Sequence, residues 1–211
     1  VSAPAAAARA FGEQLAAAER YAALLTGPGI ERGLVGPREA PRIWERHLLN
    51  SAVLADFVPD GARVVDVGSG AGLPGLPMAL RRPDLRIDLV EPLERRAIFL
   101  REAVAALGLE GRVRVVRGRA ADLGVQESVG NADWVAARAV APLDRLVRWC
   151  LPLLGPGGVL LALKGAGASE EVATHAAAMR AAGAREVRLA PVGVDWIDTP
   201  TWVVMVQRGS V

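Results

Sequence analysis

Cysteine occurs once, at Cys150, in a chain of 211 residues. A single thiol excludes an internal disulfide framework and a multi-cysteine metal cluster, and it fits a reducing compartment. Lysine also occurs once. Of 25 basic residues, 24 are arginine and the other is Lys164. A chain that uses arginine almost everywhere has reason to keep one lysine where a compact ammonium serves better than a planar fork. The plainer alternative is that Lys164 is incidental. No apolar run reaches the ~18–20 uncharged residues that span a bilayer. The opening VSAPAAAARAFG (1–12) has neither a basic head nor a long apolar stretch, so no secretory signal is expected there and a cytoplasmic setting is. Groups that titrate between about pH 5 and 9 are scarce: two His, one Cys and one Tyr. That scarcity explains how a formal net charge of only +2 goes with a pI of about 9.3. The high pI is therefore weak support for a nucleic-acid partner.

What is present is a chain 52% hydrophobic and 23% charged, enough to bury the core of one domain and too apolar for a disordered chain. Residues 4–25 read as a helix, with Phe11, Leu15, Ala18, Ala22 and Leu25 on one face. TGPGIERGLVGP (26–37) is a connection. Residues 39–58 read as a second amphipathic helix, with Ile43, Trp44, Leu48, Ala52 and Ala55 aligned. Residues 1–60 are expected to form a helical cap, and 61–211 a single α/β domain.

In that second part strands alternate with helices. Strands are expected at 62–67, 86–91, 112–118, 133–138, 159–164, 185–192 and 202–207. Helices are expected after the glycine turn to about Arg82, and over 93–108, 142–154 and 169–182, with a GPGG turn at 155–158. Alternation of this kind gives a parallel sheet covered on both faces. The last two strands lack a joining helix, so a terminal antiparallel hairpin is expected.

VVDVGSGAGLPG (64–75) carries the most information. A strand enters Gly68, Gly70, Gly72 and Gly75 and leaves as a helix, a turn that lets backbone approach a ligand closely. The spacing from Gly70 to Gly75 also matches the dinucleotide pattern G-x-G-x-x-G. Glu91, closing the second strand, suits ribose hydroxyls under either reading. Asp66 discriminates. A carboxylate two residues before the first glycine repels a pyrophosphate, whereas S-adenosylmethionine brings an ammonium and a sulfonium that favour it. S-adenosylmethionine is thus preferred over a dinucleotide. The competing role for Asp66 is that of a turn or helix-cap carboxylate. The third strand ends in RGRAADLG (117–124), where a short loop is placed to cover an adenine.

Six segments, ERHLLNS (45–51), VVDVGSGAGLPGLPMAL (64–80), EPLERRAIFLRE (91–102), RGRAADL (117–123), ARAVAPL (137–143) and LALKG (161–165), occur in an order that resembles the ribosomal RNA small-subunit methyltransferase G family, also called glucose-inhibited division protein B. The Gly-Leu-Pro-Gly-Leu-Pro run and the Lys-Gly after strand five are its specific features. The resemblance covers most of residues 42–165 and is loose in the first and last 40 or so. It implies a class I S-adenosylmethionine-dependent methyltransferase fold, Rossmann-like, that methylates N7 of a guanine in 16S rRNA. It further implies cofactor contacts at Asp66, Gly68, Gly70, Leu73, Glu91, Ala120, Ala121 and Arg138. Two departures stand out: Asn50, where relatives often carry Asp, and Ala121 before Asp122, where an acid commonly comes one residue earlier. The adenine contact is accordingly assigned to backbone.

The residues agree with that chemistry as far as they go. Pyrimidine C5 methylation needs a Cys nucleophile, and Cys150 is expected inside a helix. Exocyclic amine methylation usually goes with an Asn/Asp-Pro-Pro-aromatic segment, and residues 138–143 read Arg-Ala-Val-Ala-Pro-Leu. Guanine N7 has a free lone pair and no proton to remove, so positioning suffices. Arg138 and Lys164 are expected at strand ends, Arg138 bridging cofactor and guanine and Lys164 holding a phosphate or guanine O6. The plainer role for Arg138 is a salt bridge at a strand end. His47 is expected either to pack the cap onto the core or to roof the pocket, and His175 to lie on the surface. Trp44, Trp134, Trp149, Trp196 and Trp202 are expected mostly in the core. No metal-ligand spacing occurs, so no metal is expected. Three arginine groups (81, 82, 86; 95, 96, 101; 112, 114, 117, 119) are available to RNA, although most are expected to be solvated faces. The expected partner is 16S rRNA or the small ribosomal subunit, with no membrane, and the expected state is monomeric. Two other functions remain open at this point: a small-molecule methyltransferase, and a non-catalytic RNA- or nucleotide-binding module.

Overall fold

The computed structural model describes residues 2–138, 140–193, 197 and 201–209. Trp196 lies outside the described residues, and so does Ala139. Helices α1 (Ala5–Phe11), α2 (Leu15–Thr26) and α3 (Pro28–Glu31) open the chain. The first expected helix is interrupted because Gly12 adopts φ 51°, a left-handed conformation that ends α1 before a short 3-10 turn starts the next helix. The second expected helix is more irregular: 3-10 over Pro37–Arg42, a wide π turn over Ile43–Leu49, α4 (Asn50–Ala52), then 3-10 again over Val53–Phe57. Pro41, inside the first turns, has no N–H to donate and crowds the preceding turn, which disfavours a regular α-helix there. The apolar face is nevertheless as expected, with Ile43, Trp44, Leu48, Ala52 and Ala55 all buried.

β1 (Arg63–Val67), β2 (Arg86–Glu91), β3 (Val113–Arg117), β4 (Ala132–Arg138), β5 (Leu154–Lys164), β6 (Ala184–Val192) and β7 (Thr201–Arg208) form one sheet in the order β3-β2-β1-β4-β5-β7-β6. β1 to β5 pair in parallel, and β7 runs antiparallel between β5 and β6. The terminal hairpin is therefore present, folded back so that its second strand pairs with β5. Between strands lie α5 (Gly75–Arg81), α6 (Glu94–Ala106), α7 (Leu123–Val129), α8 (Leu143–Cys150) and α9 (Ala168–Ala181).

Two local features differ from the sequence reading. α7 was not anticipated; it follows directly on the Ala120–Asp122 turn. The GPGG segment belongs to β5: Ala132 pairs with Leu154 and Trp134 with Val159, so residues 155–158 are accommodated as an irregularity within the strand. Gly158 allows this, since a Cβ there would sit 3.1 Å from the carbonyl oxygens of both Ala132 and Asp133.

Successive strand residues alternate between two apolar layers. Val64, Ile87, Leu89, Ala136 and Leu161 share one continuous core with Tyr21, Leu25, Trp44 and Leu48 of the first sixty residues and with α5 and α6. Val65, Val67, Val135, Ala137 and Leu160 pack with α7, α8 and α9 on the other face. Cys150 is fully buried there, and burial pushes its thiol pKa up. Of the described tryptophans only Trp44 is fully buried; Trp134, Trp149 and Trp202 are half-buried. His175 is half-buried too, 3.8 Å from the Asp144 carboxylate.

Candidate active site

The strand ends of β1, β2 and β4 converge on the glycine turn. Gly68, Gly70 and Gly72 all take positive φ (73°, 58° and 103°), conformations that side chains strain to adopt. Crowding adds to this. A Cβ on Gly68 would sit 2.9 Å from Val140, and one on Gly72 would sit 2.4 Å from Leu76 and 2.9 Å from the Tyr21 hydroxyl. The N–H groups of Gly68 and Ser69 donate to the Val90 carbonyl at 2.9 and 3.2 Å, fastening the turn to β2. Leu73, half-buried, leads into α5.

Asp66 is fully buried beneath this turn. Its Oδ2 accepts the Gly75 N–H at 2.9 Å. Its Oδ1, also buried, has no partner in the structure. One oxygen thus acts as the turn carboxylate and the other is left for a donor. Burial pushes the carboxyl pKa up to about 7, opposed by the Gly75 hydrogen bond. An ammonium brought near Oδ1 would hold the group ionised.

Glu91 ends β2 with 1% exposure. Its Oε2 accepts the Gly70 N–H and its Oε1 the Leu93 N–H, both at 2.9 Å. The carboxylate is held at the strand end by backbone, and its remaining lone pairs are available to hydroxyl donors. Past β3, Ala120 is buried and Ala121 exposed. The Asp122 carboxylate turns back to accept the Arg119 N–H at 2.9 Å, so its side chain is engaged within the turn.

Arg138 ends β4 and reaches toward the first sixty residues. Its Nη1 donates to the Ser51 hydroxyl at 3.0 Å and to the His47 carbonyl at 3.2 Å, and its Nη2 lies 3.0 Å from His47 Nδ1. Burial lowers its pKa to about 10. His47 Nε2 lies 2.8 Å from the Glu39 carboxylate. Burial, and then Arg138, pull the His47 pKa down, while the bond to His47 pulls that of Glu39 down. His47 therefore packs the cap onto the sheet and also touches Arg138.

Lys164 ends β5 as expected but faces away from Arg138. Arg138 is in register with Leu163, so the next residue along β5 points to the opposite face. The Lys164 ammonium donates to the Ala141 carbonyl at 2.9 Å and to Glu171 Oε1 at 2.8 Å. Glu171 Oε1 also accepts the Leu143 N–H at 2.9 Å. Lys164 thus ties the segment after β4 to α9.

Sequence reasoning passed over Tyr21, Glu39 and Glu171. Tyr21, the only tyrosine, is fully buried on the inner face of α2, and a buried phenol needs an acceptor. Its partner is the Ala71 carbonyl in the glycine turn. No local spacing announces Glu39 or Glu171.

An open cleft of about 410 Å³ lies at the opposite, amino-terminal ends of β1, β2 and β3, lined by Arg63, Arg86, Arg112 and Arg114 with Asp88 and Glu110. Its cations are largely occupied. Asp88 accepts from Arg63 at 2.9 Å and Arg114 at 2.7 Å, and Arg112 donates to the Ala79 carbonyl at 2.7 Å. Arg81 and Arg82 likewise pair with Asp56 and Asp84. Exposed Arg95 and Arg119 flank the Glu91 end of the sheet instead, with Arg117 paired to Glu94 at 3.2 Å. Among the described residues, no His, Cys, Asp and Glu group has metal-binding geometry, and no helix is long and apolar enough to cross a membrane.

This strand order and glycine turn define an S-adenosylmethionine-dependent methyltransferase fold. The apo form of the S-adenosylmethionine-dependent methyltransferase SibL shares it (TM-score 0.64, 22% identity, 97% of this chain and 70% of that one). So does Aeropyrum pernix fibrillarin with natively bound S-adenosyl-L-methionine (TM-score 0.55, 17% identity, 75% and 76%). Within that class, the profile of rRNA small subunit methyltransferase G matches residues 14–194, a longer stretch than the 42–165 in which the resemblance is visible by motif. Proteins named ribosomal RNA small subunit methyltransferase G are 54% identical over 202 residues in Mycolicibacterium gilvum (96% of this chain, 88% of that protein) and 55% identical over 206 residues in Salinispora tropica (95% and 84%). The chain belongs to the rRNA small subunit methyltransferase G family.

Proposed function

We propose that this chain transfers a methyl group from S-adenosylmethionine to N7 of a guanine in 16S rRNA, acting in the cytoplasm as a monomer. The near full-length match to relatives named for small-subunit rRNA methylation carries the reading. The residues at the strand ends fit the cofactor: a buried carboxylate oxygen without a donor, a glycine cradle too tight for side chains, and an acid at the end of β2.

When bound, S-adenosylmethionine supplies an electrophilic methyl group on a positive sulfur. Asp66 Oδ1 would take the donor's cationic methionine end, Glu91 the ribose, and the backbone at Ala120 and Ala121 the adenine. Gly68, Gly70 and Leu73 would shape the turn against it. N7 would attack with its own lone pair, the N–C bond forming as the S–C bond breaks and neutral S-adenosylhomocysteine leaves, so no general base is required and the protein contributes orientation and exclusion of water. Arg138 would sit between cofactor and guanine as a hydrogen-bond donor. Lys164 would act from behind, holding the segment that carries Val140 against Gly68. Arg95 and Arg119 are placed to meet RNA phosphate, where the guanidinium fork is suited.

The test is incubation with labelled S-adenosylmethionine and unmodified small subunits or naked 16S rRNA, followed by nucleoside mapping. Label in 7-methylguanosine at one site is expected. Label in another nucleoside, or none in RNA, rejects the proposal.

A further inference from the structure

Arginine is only ever a donor, and this fixes the protonation of His47. With Arg138 Nη2 3.0 Å from Nδ1, that nitrogen must accept, so the imidazole proton sits on Nε2. Nε2 then donates to Glu39, 2.8 Å away. A protonated His47 would turn an N–H toward the guanidinium and remove its acceptor.

The fold assembles this contact deliberately. Glu39 and His47 are eight residues apart, a rise of about 12 Å along a regular α-helix and too far for a direct bond. The path between them is not a regular helix: 3-10 turns over Pro37–Arg42 give way to a π turn over Ile43–Leu49, and the two side chains meet. π turns of this kind recur at functional sites.

We propose that Glu39 is a positioning residue which, through the His47 imidazole, aims the Arg138 guanidinium at the cofactor and guanine. The inference rests on the role given to Arg138 above. The charged groups facing His47 are Arg138 from β4, Glu39 from the preceding 3-10 stretch and Arg46 from its own turn. Arg46 also reaches Glu39, at 3.4 Å.

The test is the rate of methyl transfer to unmodified small subunits at saturating S-adenosylmethionine. Glu39→Ala is expected to lower kcat about tenfold, the scale on which small misplacements act, with smaller losses in donor affinity and Tm. In Glu39→Gln the carbonyl still accepts from Nε2, so most activity remains. The acid limb of the pH profile moves to lower pH, because a carboxylate no longer supports the imidazolium. His47→Asn keeps an acceptor toward Arg138 but cuts the link to Glu39, so adding Glu39→Ala there should cost less than about twofold. Full activity of Glu39→Ala, an unmoved acid limb in Glu39→Gln, or an undiminished loss in the His47→Asn background each overturn the proposal. Normal transfer by Arg138→Ala instead defeats the role of Arg138 on which it rests; an inactive Arg138→Ala beside a fully active Glu39→Ala defeats the link alone.

Discussion

The Tyr21 hydroxyl donates to the Ala71 carbonyl at 2.8 Å, joining residues fifty positions apart. This bond ties α2 to the glycine turn. The phenol is fully buried, and burial followed by the nearby Asp66 charge pushes its pKa well up, so it stays a neutral donor. The first sixty residues therefore help to shape the glycine turn as well as covering the sheet.

Removing that donor is the first prediction. Tyr21→Phe leaves the ring in place and the Ala71 carbonyl without its partner, at a cost of about 1–2 kcal/mol in stability. Thermal unfolding should record the loss, and calorimetry should show several-fold weaker S-adenosylmethionine binding. An unchanged affinity would mean that the turn holds its shape unaided.

Asp66 predicts an unusual pH dependence. Its folded pKa, about 7, stands above the ordinary 3.8, so the folded state binds the proton more tightly than the unfolded chain. The stability this gives is complete below about pH 4 and is lost as pH rises through about 7. In the ligand-free protein the Asp66 contribution to stability should thus decline across that window, and Asp66→Asn should flatten the decline. Donor affinity should do the reverse, rising with pH as the carboxylate ionises, and the Asn variant should lose both the rise and at least tenfold in affinity. Tm and calorimetric titrations at pH 5, 6, 7 and 8 read both.

For Lys164 the prediction concerns stability as well as rate. Its side chain is 12% exposed and that of Glu171 25%, so truncating Lys164 strands a half-buried carboxylate and frees the Ala141 carbonyl. Lys164→Ala should cost about 2 kcal/mol and lower kcat more than donor affinity. Lys164→Met with Glu171→Gln should recover stability and most of the rate. Stability recovered without the rate would point to direct contact of Lys164 with RNA.

RNA affinity should fall as salt rises, with a slope set by the phosphates that arginines neutralise. Replacing Arg95 and Arg119 with Ala should shallow the slope by about two contacts' worth, whereas Arg63→Ala, at the opposite end of the strands, should leave it unaltered. A filter-binding series between 50 and 300 mM salt decides this; equal slopes for all three proteins would remove Arg95 and Arg119 from the interface.

The parallel sheet, the glycine turn and the acid at the end of β2 were legible because each is written locally, as β-branched runs, glycine spacing and one residue at a strand end. Arg138 and Lys164 were placed at strand ends for the same reason. Which way each points was not legible. A one-residue offset in β5 register sends Lys164 to the face opposite Arg138, and register depends on pairing across the sheet. The irregular helix around His47 escaped because apolar spacing alone reads as a regular helix. Pro41 interrupts that spacing but does not say that the turn would widen to a π turn. Tyr21, Glu39 and Glu171 act through partners 50, 8 and 7 residues away, separations that carry no sequence pattern.

Titration calorimetry with S-adenosylmethionine and with NAD, on the intact chain and on its Glu91→Ala variant, addresses the cofactor site head-on. S-adenosylmethionine should bind the intact chain, the variant should bind it at least tenfold more weakly, and NAD should give no heat. Tight NAD binding with no heat from S-adenosylmethionine would contradict the account at its root.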